Sequence, residues 1–391
     1  MIYIDISYLM EYFEAGRNVS GIQRVCYEIV QGLRLQVGDA NVKLLKFDMR
    51  SKMLRIAPVA LFDEVVEARE DLVKLRRTAR DGLNRWQNGT FEKRSTLVLS
   101  EGLGDVRRFD SFSQAKNSFR LRVFQVIYDV IPLAKPHFSV PNAVRGFRRA
   151  IPKALALADE VITISDYSKQ DMLRICEVML GPNKPLHVWK LPHEFTAKAD
   201  GNMILPESIK KRFVLFGGTI EDRKNQHLVV DAWSKLLVKH GSQMPQLVLV
   251  GKFGKITWPL IKMRAKLALE KLRQKRFIAL GKCNDKMLRA LYDHSLFTIY
   301  VSSYEGWGLP IGESLWCGRP VLSGIATSLP EVGGDLVDYV DPLDQNALMA
   351  AIEKLCFDDE HRERRVKQIS KAKLRTWNDA INEFGRIVSA A

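Results

Sequence analysis

Two short runs hold residue types that could together manage a diphosphate. In 216–228, FGGTIEDRKNQHL, Gly217 and Gly218 end an apolar run and the adjacent cations Arg223 and Lys224 follow. Two cations at the carboxyl end of a strand suit a diphosphate: Arg grips it with a planar fork of donors, and Lys acts as a point charge. In 300–322, YVSSYEGWGLPIGESLWCGRPVL, Glu305 lies in a loop with Gly306, Trp307 and Gly308. Leu309 and Pro310 then open a helix, Pro being suited to the first helical position, and Glu313 falls in its first turn. Free main-chain N–H groups make such a corner attractive to anions. Carboxylates placed there can instead accept hydrogen bonds from vicinal hydroxyls, as on a sugar or a ribose. Each run also has a plainer reading. An Arg-Lys pair is commonly solvated, and acids at a helix start commonly complement the macrodipole.

Two further positions carry weaker signals. Gly21, in SGIQRV, opens a helix after the first strand, with Ser20 as a candidate N-cap; a glycine there lets a phosphate approach the backbone. Asp129 ends VFQVIYD, where it could organise a cleft or make a turn hydrogen bond. Ser165, after EVITI, reads as a cap first. No D-x-D motif stands at a strand end, and the five cysteines are scattered without a C-x-x-C pair. No metal site or disulfide framework is expected, and a reducing compartment is.

The elements that would position these residues alternate strand, loop and helix. Residues 2–7, 95–100, 123–129 and 160–165 read as strands, the later three as short buried parallel ones; 21–34 reads as a helix. The alternation restarts with strands at 212–218, 246–251, 277–281, 296–302, 320–323 and 337–340, and with a helix over 225–239. The expected class is α/β, with two Rossmann-like doubly wound domains facing a central cleft. The expected division is 1–195, an N-terminal Rossmann-like domain; 196–211, a linker rich in Gly, Asn, Pro and charge; 212–373, a C-terminal Rossmann-like domain; and 374–391, a last helix. Ligands in such sheets sit at the carboxyl ends of strands, so the informative residues belong in strand-to-helix loops.

Composition narrows the partners. The chain has 391 residues, 60 Lys plus Arg against 45 Asp plus Glu, and a formal net charge of +15. That surplus favours an anionic partner without naming it. Arg69, Lys74, Arg76, Arg77, Arg80 and Arg85 fall in one expected helix, with Leu72, Leu75, Ala79, Leu83 and Trp86 interleaved. It could lie on an anionic membrane surface or be an ordinary amphipathic helix. Arg362, Arg364, Arg365 and Lys367 read as a solvated face. No apolar stretch is long enough to span a bilayer, the first residues lack the basic region of a signal peptide, and no nucleic-acid-binding motif is found.

The segment Glu305-Gly306-Trp307-Gly308-Leu309-Pro310-Ile311-Gly312-Glu313 closely resembles the signature of the retaining glycosyltransferases of family 4, E-G-x-G-L-P-x-x-E. CGRPV (317–321) and SLPEVGGD (328–335) are similar to that family as well, and RKN after the glycines resembles its G-x-x-x-x-R-K-N. The resemblance implies a GT-B fold, with Glu305 at the donor sugar, Glu313 at the ribose, and Arg223 and Lys224 at the diphosphate. It also implies that amides around Gly308 and Leu309 face the sugar and diphosphate, and that Gly21 meets the diphosphate from the N-terminal domain. Tyr128 stands where the family often has His, while Asp129 is kept; His193 stands in a segment that departs from the family and is assigned nothing. The family's last helix often crosses back to the N-terminal domain, which 374–391 resembles.

The activity so implied is a metal-independent, retaining hexosyl transfer. The donor is a nucleoside diphosphate sugar and no cofactor is needed. A general likeness to bacterial polysaccharide mannosyltransferases makes GDP-mannose the first expectation, with dTDP-rhamnose and UDP-sugars behind it. The acceptor is expected to be an oligosaccharide or lipid-linked saccharide in surface polysaccharide (lipopolysaccharide) synthesis. The location is expected to be cytoplasmic, peripheral on the inner face of the plasma membrane. A non-catalytic nucleotide-sugar sensor or scaffold, or a sugar-nucleotide epimerase, would keep the fold. A nicotinamide oxidoreductase lacks its G-x-G-x-x-G after the first strand.

Overall fold

In a computed structural model of the full chain, the described residues are 1–15, 21–57, 59–68, 71–103, 106–181, 184–199, 203–255, 257–272 and 276–389. Ser20 and Arg69 lie outside them. The chain forms two compact units. The first is Met1–Leu191 with Trp377–Ala391; the second is Pro192–Thr376.

The first unit is built on β1 (Ile2–Asp5), β2 (Val42–Asp48), β3 (Met53–Ala57), β4 (Gln87–Asn88), β5 (Thr96–Leu99), β6 (Arg122–Ile127), β7 (Glu160–Thr163) and β8 (Leu186–Val188). Their order in the sheet is β4-β3-β2-β1-β5-β6-β7-β8. Strands β2 through β8, apart from β3 and β4, are parallel. β3 runs antiparallel to β2, and β4 to β3. The parallel strands are apolar and buried, as strands covered by helices on both faces must be. Helices Ile22–Val37, Arg108–Phe119, Pro141–Leu157 and Asp166–Leu180 supply that cover. The last of these starts on Ser165, whose hydroxyl accepts the Ser168 N–H at 2.9 Å. The C-terminal helix Trp377–Ser389 belongs to this unit: the Trp189 indole N–H donates to the Ala380 carbonyl at 2.7 Å and its ring meets Phe384.

The second unit carries β9 (Phe213–Gly217), β10 (Gln246–Val250), β11 (Phe277–Ala279), β12 (Thr298–Tyr300), β13 (Val321–Gly324) and β14 (Asp338–Val340). Their order is β11-β10-β9-β12-β13-β14, with every pairing parallel. The chain winds outward from β9 to β11, then returns to β12 on the other side of β9. The topological switch point therefore lies between the carboxyl ends of β9 and β12.

Several expectations are corrected. The second unit begins at Pro192, ahead of the expected linker: Phe195 is buried in its core, and Ala197, Leu205 and Ile209 pack against that core. The basic helix is shorter than 69–86. It runs Leu72–Asp81, with Asp71 capping its start, and a 3-10 turn follows at Gly82–Arg85. Leu75 and Ala79 face inward; Lys74, Arg76, Arg77 and Arg80 are exposed. Arg362 and Arg365 are not a solvated face. Arg362 donates to the Leu355 carbonyl at 2.7 Å and Arg365 pairs with Asp338 at 2.8 Å, which fastens helix Asp359–Lys371 to β14.

Candidate active site in the second unit

A glycine of positive φ follows each of β9 and β10. Gly218 has φ +120°, and Gly251, after β10, has φ +146°. A methyl on Gly251 would stand 2.0 Å from the Gly218 carbonyl oxygen, so the two strand ends approach as only glycine allows. A Cβ on Gly218 would in turn lie 2.9 Å from Lys224 Nζ. A short 3-10 turn, Asp222–Lys224, then presents both cations, and Asn225 at φ 59° starts helix Gln226–His240. Asn225 ties this turn to the end of β12, donating to the Val301 carbonyl and to Ser303 Oγ, each at 2.8 Å. Arg223 accepts the Ser303 N–H on its own carbonyl at 2.7 Å.

The loop after β12 brings Glu305 to the same place. Arg223 Nη1 is 2.6 Å from Glu305 Oε2 and donates to the Tyr304 carbonyl at 2.8 Å. Lys224 Nζ lies 3.9 Å from Glu305 Oε1 and 5.3 Å from the Tyr300 ring centre. The Tyr300 hydroxyl donates to Glu305 Oε1 at 2.7 Å. Ser328 braces the loop, its one hydroxyl hydrogen shared between the carbonyls of Glu305 and Trp307, at 3.0 and 2.8 Å from Oγ. Residues 223–224 and 305 thus form one buried cluster at the switch point, with Lys224 7% and Glu305 8% exposed.

Burial alone would raise the Glu305 carboxyl, but the charges of Arg223 and Lys224 outweigh it and hold the group at about 2. Burial pulls Lys224 down against the opposing charge of Glu305. Burial also works against the Arg223 cation, yet Glu305 and Glu221 raise its pKa above the usual arginine value. The Tyr300 phenol is pushed up, by burial first and then by Glu305. Among the described residues, no three His, Cys, Asp or Glu side chains gather as a metal-ion site.

The other expected donor contacts divide between the units. Gly308, at φ +125°, precedes helix Leu309–Trp316 and has no side chain to cap it. Glu313 sits inside that helix and is buried; its Oε2 accepts the Tyr292 hydroxyl at 2.9 Å, and Gly217 lies beside that hydroxyl. Gly306 and Trp307 are buried in the loop. Gly21 and Asp129 belong to the first unit. Gly21 has φ +53°, stands at the start of helix Ile22–Val37 and has open space where a side chain would project. Asp129 accepts the Ile131 N–H at 3.0 Å, which is the turn bond of the plainer reading. Tyr128, in the position of the family's His, is buried and donates to the Ser100 carbonyl at 2.6 Å.

Sequence reasoning missed Glu221, Tyr300 and Tyr292, the side chains that hold the motif residues. It also missed a buried cluster at the first sheet's own switch point, between β1 and β5. There Arg108 Nη1 is 2.8 Å from Asp5 Oδ2, and Glu101 accepts the Leu9 N–H at 2.6 Å, capping helix Ser7–Glu14. Partners so far apart in the chain leave no local pattern. His193, unassigned from sequence, accepts the Arg375 N–H on Nδ1 at 3.1 Å, and its Nε2 is 3.0 Å from the Val332 carbonyl oxygen.

Comparison with known proteins fits this geometry. Residues 204–372 match the family model Glycosyl transferases group 1. The chain is 26% identical over 280 residues to "O-antigen chain mannosyltransferase B" of Escherichia coli, covering 67% of this chain and 68% of that one. It is 25% identical over 282 residues to the E. coli "Serotype-specific mannosyltransferase WbdA", covering 68% of this chain but 34% of that protein. Among solved structures, sucrose-phosphate synthase from Thermosynechococcus elongatus superposes with a TM-score of 0.64 at 16% identity, over 99% of this chain and 97% of that one. An E. coli structure described as "Trehalose-6-phosphate from E. coli bound with UDP-2-fluoro glucose" superposes at 0.62 and 11%, over 99% and 98%. The chain thus has the GT-B fold, matches the Glycosyl transferases group 1 model over residues 204–372, and resembles bacterial O-antigen mannosyltransferases.

Proposed function

We propose that the chain transfers a hexose, with retention and without a metal ion, from a nucleoside diphosphate sugar to a saccharide acceptor of surface polysaccharide synthesis. The observation that carries this reading is the 2.6 Å pair of Arg223 and Glu305 at the switch point, with Lys224 alongside. It puts cations for a diphosphate next to a carboxylate for sugar hydroxyls. GDP-mannose is the first donor, since the curated relatives are mannosyltransferases; dTDP-rhamnose and UDP-sugars come next.

The barrier in such a transfer is loss of the nucleoside diphosphate. The bond from the anomeric carbon to the phosphate oxygen breaks, and its electron pair stays on the diphosphate. Arg223, Lys224 and the N–H groups at the start of helix Leu309–Trp316 stabilise that charge. Glu305, held ionised, accepts from the donor sugar's hydroxyls and Glu313 from the ribose. In the first unit, Asp129 is the candidate catalytic residue and Gly21 the candidate for close approach of a phosphate to the backbone. The acceptor oxygen bonds to the same face of the anomeric carbon, and its proton passes to the departing phosphate oxygen. A lipid-linked acceptor at the inner face of the plasma membrane fits the +15 charge and the exposed cations of helix Leu72–Asp81. No helix among the described residues is long and apolar enough to cross a membrane.

Arg223→Ala combined with Lys224→Ala is expected to lower transfer by roughly a thousandfold or more while leaving far-UV circular dichroism unchanged. A panel of nucleotide sugars, screened by thermal shift and then by release of nucleoside diphosphate, identifies the donor. Normal turnover in the double variant overturns the assignment.

A further inference from the structure

The cationic fork is already occupied by the protein itself. Arg223 Nη2 lies 2.7 Å from Glu221 Oε1, while Nη1 is taken by Glu305 and the Tyr304 carbonyl. Both terminal nitrogens that a phosphate would use are therefore paired. The cluster of Arg223, Lys224, Glu305 and Glu221 holds two cations and two carboxylates, so its formal charge is zero before any ligand arrives.

The two carboxylates are held differently. Glu305 is fixed by Arg223, Tyr300 and the braced loop, and its side chain is 10% exposed. Glu221 is 21% exposed, and among the described residues its carboxylate has one ion-pair partner, Arg223. It belongs to the strand-to-turn connection, with extended backbone at φ −153° and ψ 156°, so its side chain can leave without moving the turn. The sequence places it two residues before Arg223, in TIEDRKN.

We infer that Glu221 is an intramolecular competitor of the donor diphosphate: its carboxylate occupies the Arg223 fork in the empty site and must be displaced by the donor's terminal phosphate. This rests on the donor reading above. Glu221 is a specificity-determining residue that acts through Arg223 and makes no bond to the sugar. Binding then requires the fork to be free, and the observed affinity falls by the fraction of time that it is. A ligand without the second phosphate does not use the fork and feels no such cost. When the leaving diphosphate is ready to depart, the returning Glu221 carboxylate replaces it on Arg223, which favours release.

Calorimetric binding of GDP, UDP and dTDP, and of the matching nucleoside monophosphates, to the wild-type chain, Glu221→Gln and Arg223→Ala tests this. Gln keeps the shape and removes the charge. Glu221→Gln is expected to bind the preferred diphosphate about three- to tenfold tighter, with its monophosphate affinity and melting temperature unchanged. Arg223→Ala is expected to bind the diphosphate more weakly than wild type. A Gln variant that binds the diphosphate equally or more weakly overturns the inference and makes Glu221 a brace for Arg223. Equal tightening of mono- and diphosphate also overturns it, since that is a bulk charge effect. Absence of diphosphate binding in the wild-type chain, with the fold intact, overturns the donor reading itself and this inference with it.

Discussion

At the scale of single residues, the site works because one carboxylate has every oxygen committed. Glu305 sets Oε2 on Arg223 and Oε1 on the Tyr300 hydroxyl. Its pKa of about 2 lies below the usual glutamate value, so its contribution to stability is fully present above about pH 4.5 and is lost as the pH falls toward 2. Across neutral pH it is a fixed anion. Tyr300→Phe removes the phenol and leaves Oε1 with Lys224 alone at 3.9 Å. A hydrogen bond to a charged group contributes about 1.5–3 kcal/mol. The expected result is a donor kcat/KM roughly tenfold lower or more, with Glu305 still ionised and the pH profile unmoved. Steady-state kinetics of the variant across pH checks it; unchanged kcat/KM removes Tyr300 from the site. Arg223, Lys224, Glu305 and Glu313 were legible in the sequence because each sits at a fixed offset from glycines that punctuate a strand end. Tyr300 and Tyr292 were not. A tyrosine in an apolar strand or helix has no local sign that its hydroxyl will meet a carboxylate from another loop.

At the scale of elements, the parallel strands were legible from apolar runs bounded by turn residues, and most lie within a residue or two of their expected ends. The hairpin of β2 and β3 was not, because the basic residues in KLLKFDMRSKMLRIA mask its alternation and its partners are set by the edge of the sheet. Residues 196–211 misled for the opposite reason. Their polar, Gly- and Pro-bearing composition describes a segment without regular structure, and says nothing of whether Leu205 and Ile209 find a core to cover. His193 shows what such irregular segments contribute. It ties its own segment to a second irregular one and to the short helix Leu329–Gly333: its Nδ1 accepts the Arg375 N–H, its own N–H donates to the Arg375 carbonyl at 2.9 Å, and its Nε2 meets the Val332 carbonyl. Both ring nitrogens serve only when the ring is neutral with the proton on Nε2. Burial lowers its pKa, with the Arg375 charge adding to that and the Val332 hydrogen bond opposing it. A histidine with a lowered folded pKa contributes stability above its unfolded value of about 6.5 and loses it as the pH falls through the lowered value. Urea midpoints of the wild-type chain should therefore drop more between pH 7.5 and pH 5.5 than those of His193→Gln, which starts lower but cannot take up that proton. Equal pH sensitivity in the two proteins removes His193 as a source of acid instability.

At the scale of the whole molecule, the chain builds its first unit from both of its ends. Composition offered no reason for residues 377–389 to join a sheet begun at residue 2; a family resemblance suggested it, and the packing explains it. Helix Trp377–Ser389 buries Trp377, Ala380, Ile381, Phe384 and Val388, so one whole stripe is apolar and needs a partner. The first unit supplies one in Trp189, fully buried, whose ring centre is 4.7 Å from that of Phe384 and whose N–H is satisfied by the Ala380 carbonyl. Phe384 is itself fully buried. Removing its ring leaves a cavity against Trp189, and such truncations cost about 3–5 kcal/mol. The proposed donor cluster lies wholly in the second unit. Phe384→Ala is therefore expected to lower the midpoint of the first unit's unfolding, read from Trp189 fluorescence against a Trp189→Phe control. Well below that midpoint, the nucleoside diphosphate contacts proposed for Arg223, Lys224 and Glu313 are expected to be retained. Calorimetry that shows a loss of stability with diphosphate affinity kept within about threefold, less than 1 kcal/mol, supports separate energetic roles for the two units. A stable variant that no longer binds the diphosphate places the terminal helix in the binding machinery and refutes this division.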